Sequence, residues 1–588
     1  MRMMSKWLEK FSSWLVQNPV AGLVALAFAA HIWSLPSGFM ADDFAHVQNA
    51  AALSLSRPQE LLRAFELQAT DLGLTWYTSR DIRIRYFRPL STALFVAQHR
   101  LWGLHPQGYH ATNLLLNALA VLLVWRIAQR LLPSPRAALL AGIVFAIHPT
   151  TNEAVNWISS LTDLLAALTA LCYVALMLRV ADRSSGRRLA MGTVAAMMFG
   201  FGLLAKESAI VAPALALIAA LAGPDRGSKT KWPERLLAAL PFLLPAAPVA
   251  AGYFYLRSAV MDLASAFPPS YYIPPFDPRF PMEAFTKFAA YTCHYLFFMP
   301  LEPFVCRQIY GRHPIMLAGA FVFSIVVIWK ILRPRLLGRE WWLILWPVAA
   351  LAPSMLVFLG KRFLYTATTG VALILGIVLD SILDVGPEPV RWWRFTADRR
   401  RLVTGFLIVL VALLHLYEFS AFAVTYRIDE LVREMVALVP DPAPDAEFCL
   451  VTAWFAMGLG LDHALQLQYG RPDIGVSIWS IILLPEELAP VTVTWLNDRT
   501  LTLRTAARDG LLGSDASTFF LWGNPFPIIG QWYDVGSHRV RADEISDGKV
   551  RQLTIEFTAP PDPRQYPIIT FSGEDLVLLE APAAGQNL

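Results

Sequence analysis

Asp42 and Asp43 stand side by side in the run Gly38-Phe39-Met40-Ala41-Asp42-Asp43-Phe44, just past the first long hydrophobic segment of the chain. Adjacent carboxylates repel, which tends to raise the pKa of one of them. A carboxylate kept ionised by a nearby cation can take a proton from a nucleophilic hydroxyl. The bland alternative is a solvated loop start or a helix N-terminus. At the outer mouth of a membrane bundle, however, such a pair is a candidate general base facing a lipid-borne substrate, and it points to an enzyme. A second group is His148-Pro149-Thr150-Thr151-Asn152-Glu153. Glu153 could position a substrate hydroxyl or share a divalent ion with Asp42, although Thr150 and Glu153 also have capping-box spacing. His148 by itself is more often structural than a ligand. Lys206 and Arg362 are cations at span ends, and Arg88 could join them. Two or three converging cations would stabilise a phosphate or pyrophosphate leaving group; singly, each could snorkel to lipid headgroups. His46, Asn152, Glu207 and Lys361 fall in the same set of span-end residues. An Asp at the bilayer centre costs roughly 2.5–3.5 kcal/mol, so this gathering implies a shared aqueous cavity or interfacial solvation.

The elements that must position these groups are membrane helices. Of the 588 residues, 56% are hydrophobic and 16% charged, with mean hydropathy +0.46, whereas soluble proteins carry roughly a quarter charged residues. The fold class expected is an α-helical polytopic membrane protein. Its 19 Trp and 35 Phe suit interfacial belts and lipid-facing surfaces. No basic stripe interleaved with aromatics suggests nucleic acid. Hydrophobic runs predict about eleven spans, at 15–36, 109–131, 138–152, 161–179, 189–205, 208–222, 236–256, 314–332, 341–358, 364–384 and 403–424.

Basic clusters follow Lys6 and Lys10 at every second connection: Arg126, Arg130 and Arg136; Arg179, Arg183, Arg187 and Arg188; Arg226, Lys229, Lys231 and Arg235; Lys330, Arg333, Arg335 and Arg339; and Arg391 to Arg401. The positive-inside rule then places the N-terminus in the cytoplasm, and an odd span count places the C-terminus outside. The apolar stretch from Val20 runs on through Leu35, which favours an uncleaved first span over a signal peptide. External loops are expected at 37–108 and 257–313. The segment Arg88 to Trp102 suits a helix lying along the interface, and Phe285 to Met299 is either interfacial or a further span.

Composition changes near 426, dividing a membrane domain (1–425) from an extracytoplasmic domain (426–588). Alternating runs at Val491 to Trp495, Thr500 to Leu503 and Gln552 to Phe557, with turn residues Asn497-Asp498 and Asp547-Gly548, predict antiparallel strands and a β-rich soluble domain. The four cysteines, Cys172, Cys293, Cys306 and Cys449, have no metal-ligand spacing. Cys293 and Cys306 share one predicted external loop and could pair in an oxidising compartment; otherwise they are two free thiols.

Several segments, in order, resemble the polytopic glycosyltransferases of the GT-C superfamily. The nearest likeness is to the transmembrane part of O-mannosyltransferase-like proteins that carry tetratricopeptide repeats. The matching segments are Phe39 to Asp43; Tyr86-Phe87-Arg88-Pro89-Leu90; Leu101 to Ala118, containing Leu-Trp-Gly-Leu-His-Pro-Gln-Gly-Tyr-His; Phe145 to Pro149 with Glu153 to Ile158 and Asp163 to Ala166; Leu203-Leu204-Ala205-Lys206-Glu207; and Leu351-Ala352-Pro353 with Lys361-Arg362-Phe363-Leu364-Tyr365. The resemblance implies that Asp42 is the catalytic base and Asp43 the second acid of the motif. In the reading built on these residues, Arg88, Lys206 and Arg362 would hold the departing phosphate and Glu153 would orient sugar or acceptor, with His148 and Tyr365 further candidate substrate-binding residues. The donor would be a polyprenyl-phosphate sugar, with mannose the first candidate, and the acceptor a lipid, glycan or protein hydroxyl at the outer face of a membrane of the bacterial inner-membrane type. No metal ligand set is assigned, and a divalent cation stays open. One departure bears on the acceptor, because a β-rich domain stands where the relatives carry repeats. The rival readings are a lipid-linked-sugar transporter or flippase and an inactive scaffold homologue. Transporters commonly show inverted repeats, and no matching halves are evident here.

Overall fold

A computed structural model describes residues 14–63, 65–68, 76, 83–180, 185–223, 231–261, 272–299, 301, 313–336, 338–384, 390–392, 395–397, 399–454, 460–482, 491–506, 510–512, 527–572 and 575–582. Lys6, Lys10, Arg183, Arg226, Lys229, Arg394 and Cys306, and with it the question whether Cys293 and Cys306 pair, lie outside the described residues.

The first 440 or so positions are mostly helix, as a backbone in lipid must be if its polar groups are to be satisfied. Among the described residues, five helices are long and apolar enough to cross a bilayer: Pro106–Leu131, Ile158–Arg179, Pro314–Leu332, Lys361–Asp384 and Arg399–Leu438. Shorter apolar helices cover Pro19–Ala30, Pro135–Ile147, Ala190–Ala205 and Glu207–Ala222. Among the described residues, not all of the eleven expected spans are uninterrupted helices. The expected span 236–256 is two helices, Trp232–Leu243 and Ala246–Met261, broken where Pro245 has no amide to donate. The expected span 341–358 is one short helix, Leu345–Leu351, flanked by 3-10 turns, with Pro353 in the second. The run from Phe285 lies in an 18-residue helix, Phe280–Phe297, packed on Pro314–Leu332. The final helix, Arg399–Leu438, runs 40 residues and passes straight through position 425, so the sheet domain begins only at Glu447.

Prolines open many of these helices, at Pro19, Pro89, Pro106, Pro135 and Pro314, where a missing amide costs nothing. Helix Pro135–Ile147 ends because Pro149 holds His148 extended (φ −73°, ψ 129°). Similar extended residues, Lys206 and Gly360, interrupt the backbone at the ends of two other helices. These three breaks place His148, Lys206 and Lys361-Arg362 at helix ends rather than along helix walls.

The segment expected to form the first external loop carries helix Asp42–Ala52, the hairpin β1 (Phe65–Gln68) and β2 (Arg83–Tyr86), and helix Pro89–Trp102. A second small hairpin is β3 (Val390–Trp392) with β4 (Phe395–Ala397). In the C-terminal domain, β5 (Glu447–Leu450), β7 (Gly475–Ile478), β14 (Ile568–Ser572) and β15 (Asp575–Leu579) form one sheet in the order β15-β14-β5-β7. A second sheet has the order β11-β12-β13-β10-β9, from β9 (Val491–Trp495), β10 (Thr500–Thr505), β11 (Trp532–Asp534), β12 (His538–Ser546) and β13 (Lys549–Phe557). β6 (Ala453–Trp454) pairs with β8 (Ile481–Ile482). The second sheet is antiparallel throughout, and the turns at Asn497-Asp498 and Asp547-Gly548 join β9 to β10 and β12 to β13. The first sheet, on which none of the alternating runs falls, is mixed. β5 runs parallel to both β7 and β14, and helix Leu461–Tyr469 makes the β5–β7 crossover.

Two apolar cores result. One fills the helical bundle. The other joins Phe39, Phe44, Val47, Phe95 and Tyr109 of the membrane half to Leu461, Leu465, Phe448 and Trp479 of the C-terminal domain. The acidic pair lies beside this second core, between Phe39 and Phe44.

Candidate functional site

Ala41 adopts φ 50°, ψ −123°, a left-handed conformation that L-residues rarely take. The chain thereby turns sharply into helix Asp42–Ala52 and sets both carboxylates in its first turn, where the helix dipole favours negative charge. The two acids are not equivalent. Asp43 is buried, and both its oxygens accept backbone amides, Met40 N–H at 3.0 Å and Ser159 N–H at 2.7 Å. Burial and then the neighbouring Asp42 carboxylate push its pKa well up, against those amide bonds. Asp42 is half-buried and accepts the Ser159 hydroxyl on Oδ1 at 2.8 Å. Ser159 thus ties the pair to the turn before helix Leu161–Val180.

The expected cations converge on this place from three separate helix ends. His46, one turn beyond Asp42, is acted on by Asp42, Arg88 and Arg362 together, and Tyr86 by Arg88, Asp42, Arg362 and Glu207. Arg88 bonds Glu207 through Nη2 at 2.7 Å and Nε at 3.2 Å, and its guanidinium lies 4.3 Å from the centre of the Tyr86 ring. Lys206 Nζ sits between the two oxygens of Asp163, at 2.7 and 2.6 Å. The Ser91 hydroxyl donates to Ala205 O at 2.9 Å, fastening helix Pro89–Trp102 to the break that presents Lys206.

Arg362 is bound less tightly. Its guanidinium stacks on Trp157 at 4.5 Å, its Nε reaches Glu153 Oε1 only at 4.0 Å, and that buried Nε makes no hydrogen bond within the protein. Glu153 Oε2 accepts the Lys361 backbone amide at 3.1 Å. The Thr150–Glu153 capping box does not form, since the Thr150 hydroxyl instead meets Thr368 Oγ1 at 2.7 Å and His148 Nδ1 at 2.8 Å. Asn113 donates to the carbonyls of Val155 and Trp157 (3.3 and 3.1 Å), and Asn152 to Glu418 (3.0 Å), which itself lies 2.5 Å from His31. These bonds fix the turn that carries Glu153 and Trp157.

Asp42 and Glu153 both act on Arg362, Asp42 and Arg88 act together on His46 and Tyr86, and Lys206 is reached by Arg88 and Arg362 rather than by Asp42. Two other expected contacts lie elsewhere. His148 belongs to the buried Thr150–Thr368–Tyr295 chain of hydroxyls, and Tyr365 donates to Asn117 at 2.8 Å in the bundle core. Their side chains are committed to packing there, so the substrate contact implied for them is not prepared in this conformation. Tyr86, Trp157 and Asp163 are members that fall in the matching segments without an assigned role, and Ser159 is a member that falls in none. Asp163 carried a signal, an acid near the start of an apolar helix, but Ser159 carried none, because half its role is a backbone amide. Among the described residues, no group of three or more His, Cys, Asp or Glu is arranged to hold a metal ion.

A family model described as dolichyl-phosphate-mannose-protein mannosyltransferase matches residues 88–251. That stretch includes Arg88, Glu153, Asp163, Lys206 and Glu207 and leaves Asp42 and Arg362 outside it. The protein O-mannosyl-transferase Tmtc1 of Drosophila melanogaster is 31% identical over 193 residues, 33% of this chain and 21% of that protein. Tmtc2 of the same organism is 34% identical over 193 residues, 32% of this chain and 20% of that protein. The chain thus matches about a fifth of the length of these curated relatives. A solved structure of ArnT from Cupriavidus metallidurans bound to undecaprenyl phosphate overlays with TM-score 0.43 at 15% identity, covering 80% of this chain and 86% of that one. In its membrane part the chain resembles the protein O-mannosyltransferases.

Proposed function

We propose that the protein is a membrane glycosyltransferase that moves a sugar, with mannose the first candidate, from a polyprenyl-phosphate donor to an acceptor hydroxyl at the outer membrane face. The observation that supports this reading is the half-buried Asp42 carboxylate acting with Arg88 and Arg362 on His46, with Lys206 reached in turn by Arg88 and Arg362.

In the proposed step the acceptor oxygen attacks the anomeric carbon as the bond from that carbon to the phosphate oxygen breaks. The hydroxyl proton passes to Asp42, and the polyprenyl phosphate leaves with the bonding electrons. A single in-line displacement inverts the anomeric centre, as in inverting glycoside hydrolysis. Arg362 suits the departing phosphate best. Arg88 and Lys206 already hold carboxylates, so they contribute field more than direct contact, whereas Arg362 keeps an unused donor. Asp43, with both oxygens taken by amides, holds the loop rather than the proton. Glu153 orients the Lys361-Arg362 turn. Lipid and glycan or protein acceptors remain equal candidates, and a divalent cation is not required by these steps.

Asp42→Asn keeps the Ser159 bond but removes the base. Transfer in purified membranes supplied with polyprenyl-phosphate mannose should fall about 10²–10⁴-fold. Undiminished transfer would remove Asp42 from the mechanism. Movement of lipid-linked sugar across proteoliposomes with no transfer would favour a flippase instead.

A further inference from the structure

The loop that bears the acidic pair is held by the C-terminal half of the chain. Gly38 lies against the long helix Arg399–Leu438, where an added Cβ would come within 3.3 Å of the Thr425 carbonyl oxygen. Gly460 caps helix Leu461–Tyr469 at φ +82°, and a Cβ there would fall 2.5 Å from the Ala41 carbonyl oxygen and 3.2 Å from its carbon. Ala41 is the strained residue whose conformation delivers Asp42. Two more ties cross the same boundary. Gln48 Nε2 meets Gln466 Oε1 at 2.5 Å, and Trp76 packs edge-on against Tyr533 of β11 at 5.7 Å.

Backbone strain of this kind persists only where the surroundings over-determine it. Met40, Ala41 and Asp43 satisfy one another locally, and those bonds would survive a rotation of the whole turn. Contact with Gly460 opposes such a rotation. We propose that Gly460 is a positioning residue. The C-terminal domain braces the Ala41–Asp42 peptide through it, so that domain is part of the transfer site and not an appended module. This rests on the function proposed above for Asp42, but the brace itself is a mechanical claim that can be read without it.

Gly470 supplies a matched comparison. It ends the same helix at φ +65°, yet an added Cβ there meets nothing within 4 Å. Alanine at either position strains a left-handed residue, and only alanine at Gly460 presses on Ala41. In the full-length chain, Gly460→Ala should speed amide hydrogen exchange across residues 38–48, whereas Gly470→Ala leaves it at the wild-type rate. With lipid-linked sugar, Gly460→Ala should lower kcat tenfold or more with donor KM within about twofold, because small misplacements of a reacting group are costly. Gly470→Ala should stay within about twofold on both. Gln48→Ala, which removes a tie without overpacking, should show the same exchange signature more weakly and serves if Gly460→Ala does not fold. Equal exchange in the two glycine variants, or faster exchange with unchanged kcat, would overturn the brace. A wild-type chain that transfers no sugar would defeat the functional reading, and the exchange comparison would still decide the brace.

Discussion

His46 shows how closely the chemistry of single residues is tied to the packing around the acidic pair. Its ring is stacked between Phe65 and Phe95, at 4.4 and 4.8 Å. Burial lowers its pKa from 6.5 to about 4; Asp42 opposes the shift, and Arg88 and Arg362 add to it. A histidine whose folded pKa is depressed is charged in the unfolded chain first as pH falls. Between about 6.5 and 4 the unfolded state binds the extra proton, so stability rises with pH and is lost on acidification, by up to about 3 kcal/mol. His46→Phe keeps the aromatic stack and removes the proton site. The fall in melting temperature between pH 7 and pH 4.5 should be smaller for the variant than for the wild type. Asp43, whose raised pKa pulls stability the opposite way, is present in both and cancels. Parallel pH profiles would refute the assignment. At this scale the sequence shows which side chains are costly to place, since Lys206, Arg362 and Asp42 at span ends all demand an explanation. It does not show their partners. Lys206 and Asp163 are 43 positions apart, Arg88 and Glu207 119 apart, and no local pattern links either pair.

Elements were legible where one period ran without interruption and illegible where a proline or a long-range pairing intervened. The alternation at Val491–Trp495 and Thr500–Thr505 gives strands with the turn where Asn497-Asp498 stand. The parallel pairing of β5 with β7 and β14 is set by a crossover helix and a return of more than a hundred residues, which alternation cannot encode. Hydrophobic windows likewise average over Pro245 and Pro353 and so join helices that the backbone divides. Helix contacts follow a different rule, close approach at small residues. Gly376 of helix Leu364–Asp384 faces helix Pro135–Ile147, and an added Cβ would lie 2.6 Å from Ala137 O and 2.9 Å from Ala141 Cβ. A backbone oxygen cannot swing aside, so Gly376→Ala should destabilise the bundle by about 1–3 kcal/mol. Gly252→Ala, in helix Ala246–Met261 with nothing within 4 Å, should be neutral or stabilise by up to about 1 kcal/mol. Detergent melts of the two variants against wild type measure the difference, and similar melting temperatures for both would show that the interface yields.

Across the whole molecule, helix Leu364–Asp384 is the ruler. Its 21 residues span about 30 Å, the thickness of the hydrocarbon core. Lys361 and Arg362 precede it at the end that faces Asp42, while Asp380 and Asp384 at the other end pair with Arg136. The long final helix starts beside that second end, where Arg399 reaches the Ile382 carbonyl at 3.5 Å. It passes Gly38 at Thr425 and delivers its chain into the C-terminal domain. At about 60 Å it is roughly twice the thickness it must cross. The acidic pair and the sheet domain must therefore share one membrane face, with Arg136 and Arg399 at the other. By the positive-inside rule, the basic clusters around Arg126–Arg136 and Arg391–Arg401 support the proposal that this second face is cytoplasmic and the Asp42 face the outer one. A protease site inserted between Asn497 and Asp498, in the β9–β10 turn, should be cut in cells whose membrane is intact. One inserted after Arg333, in an internal basic cluster, should be cut only after the membrane is opened. The reverse pattern would put Asp42 in the cytoplasm and would require the lipid-linked donor to be used from that side.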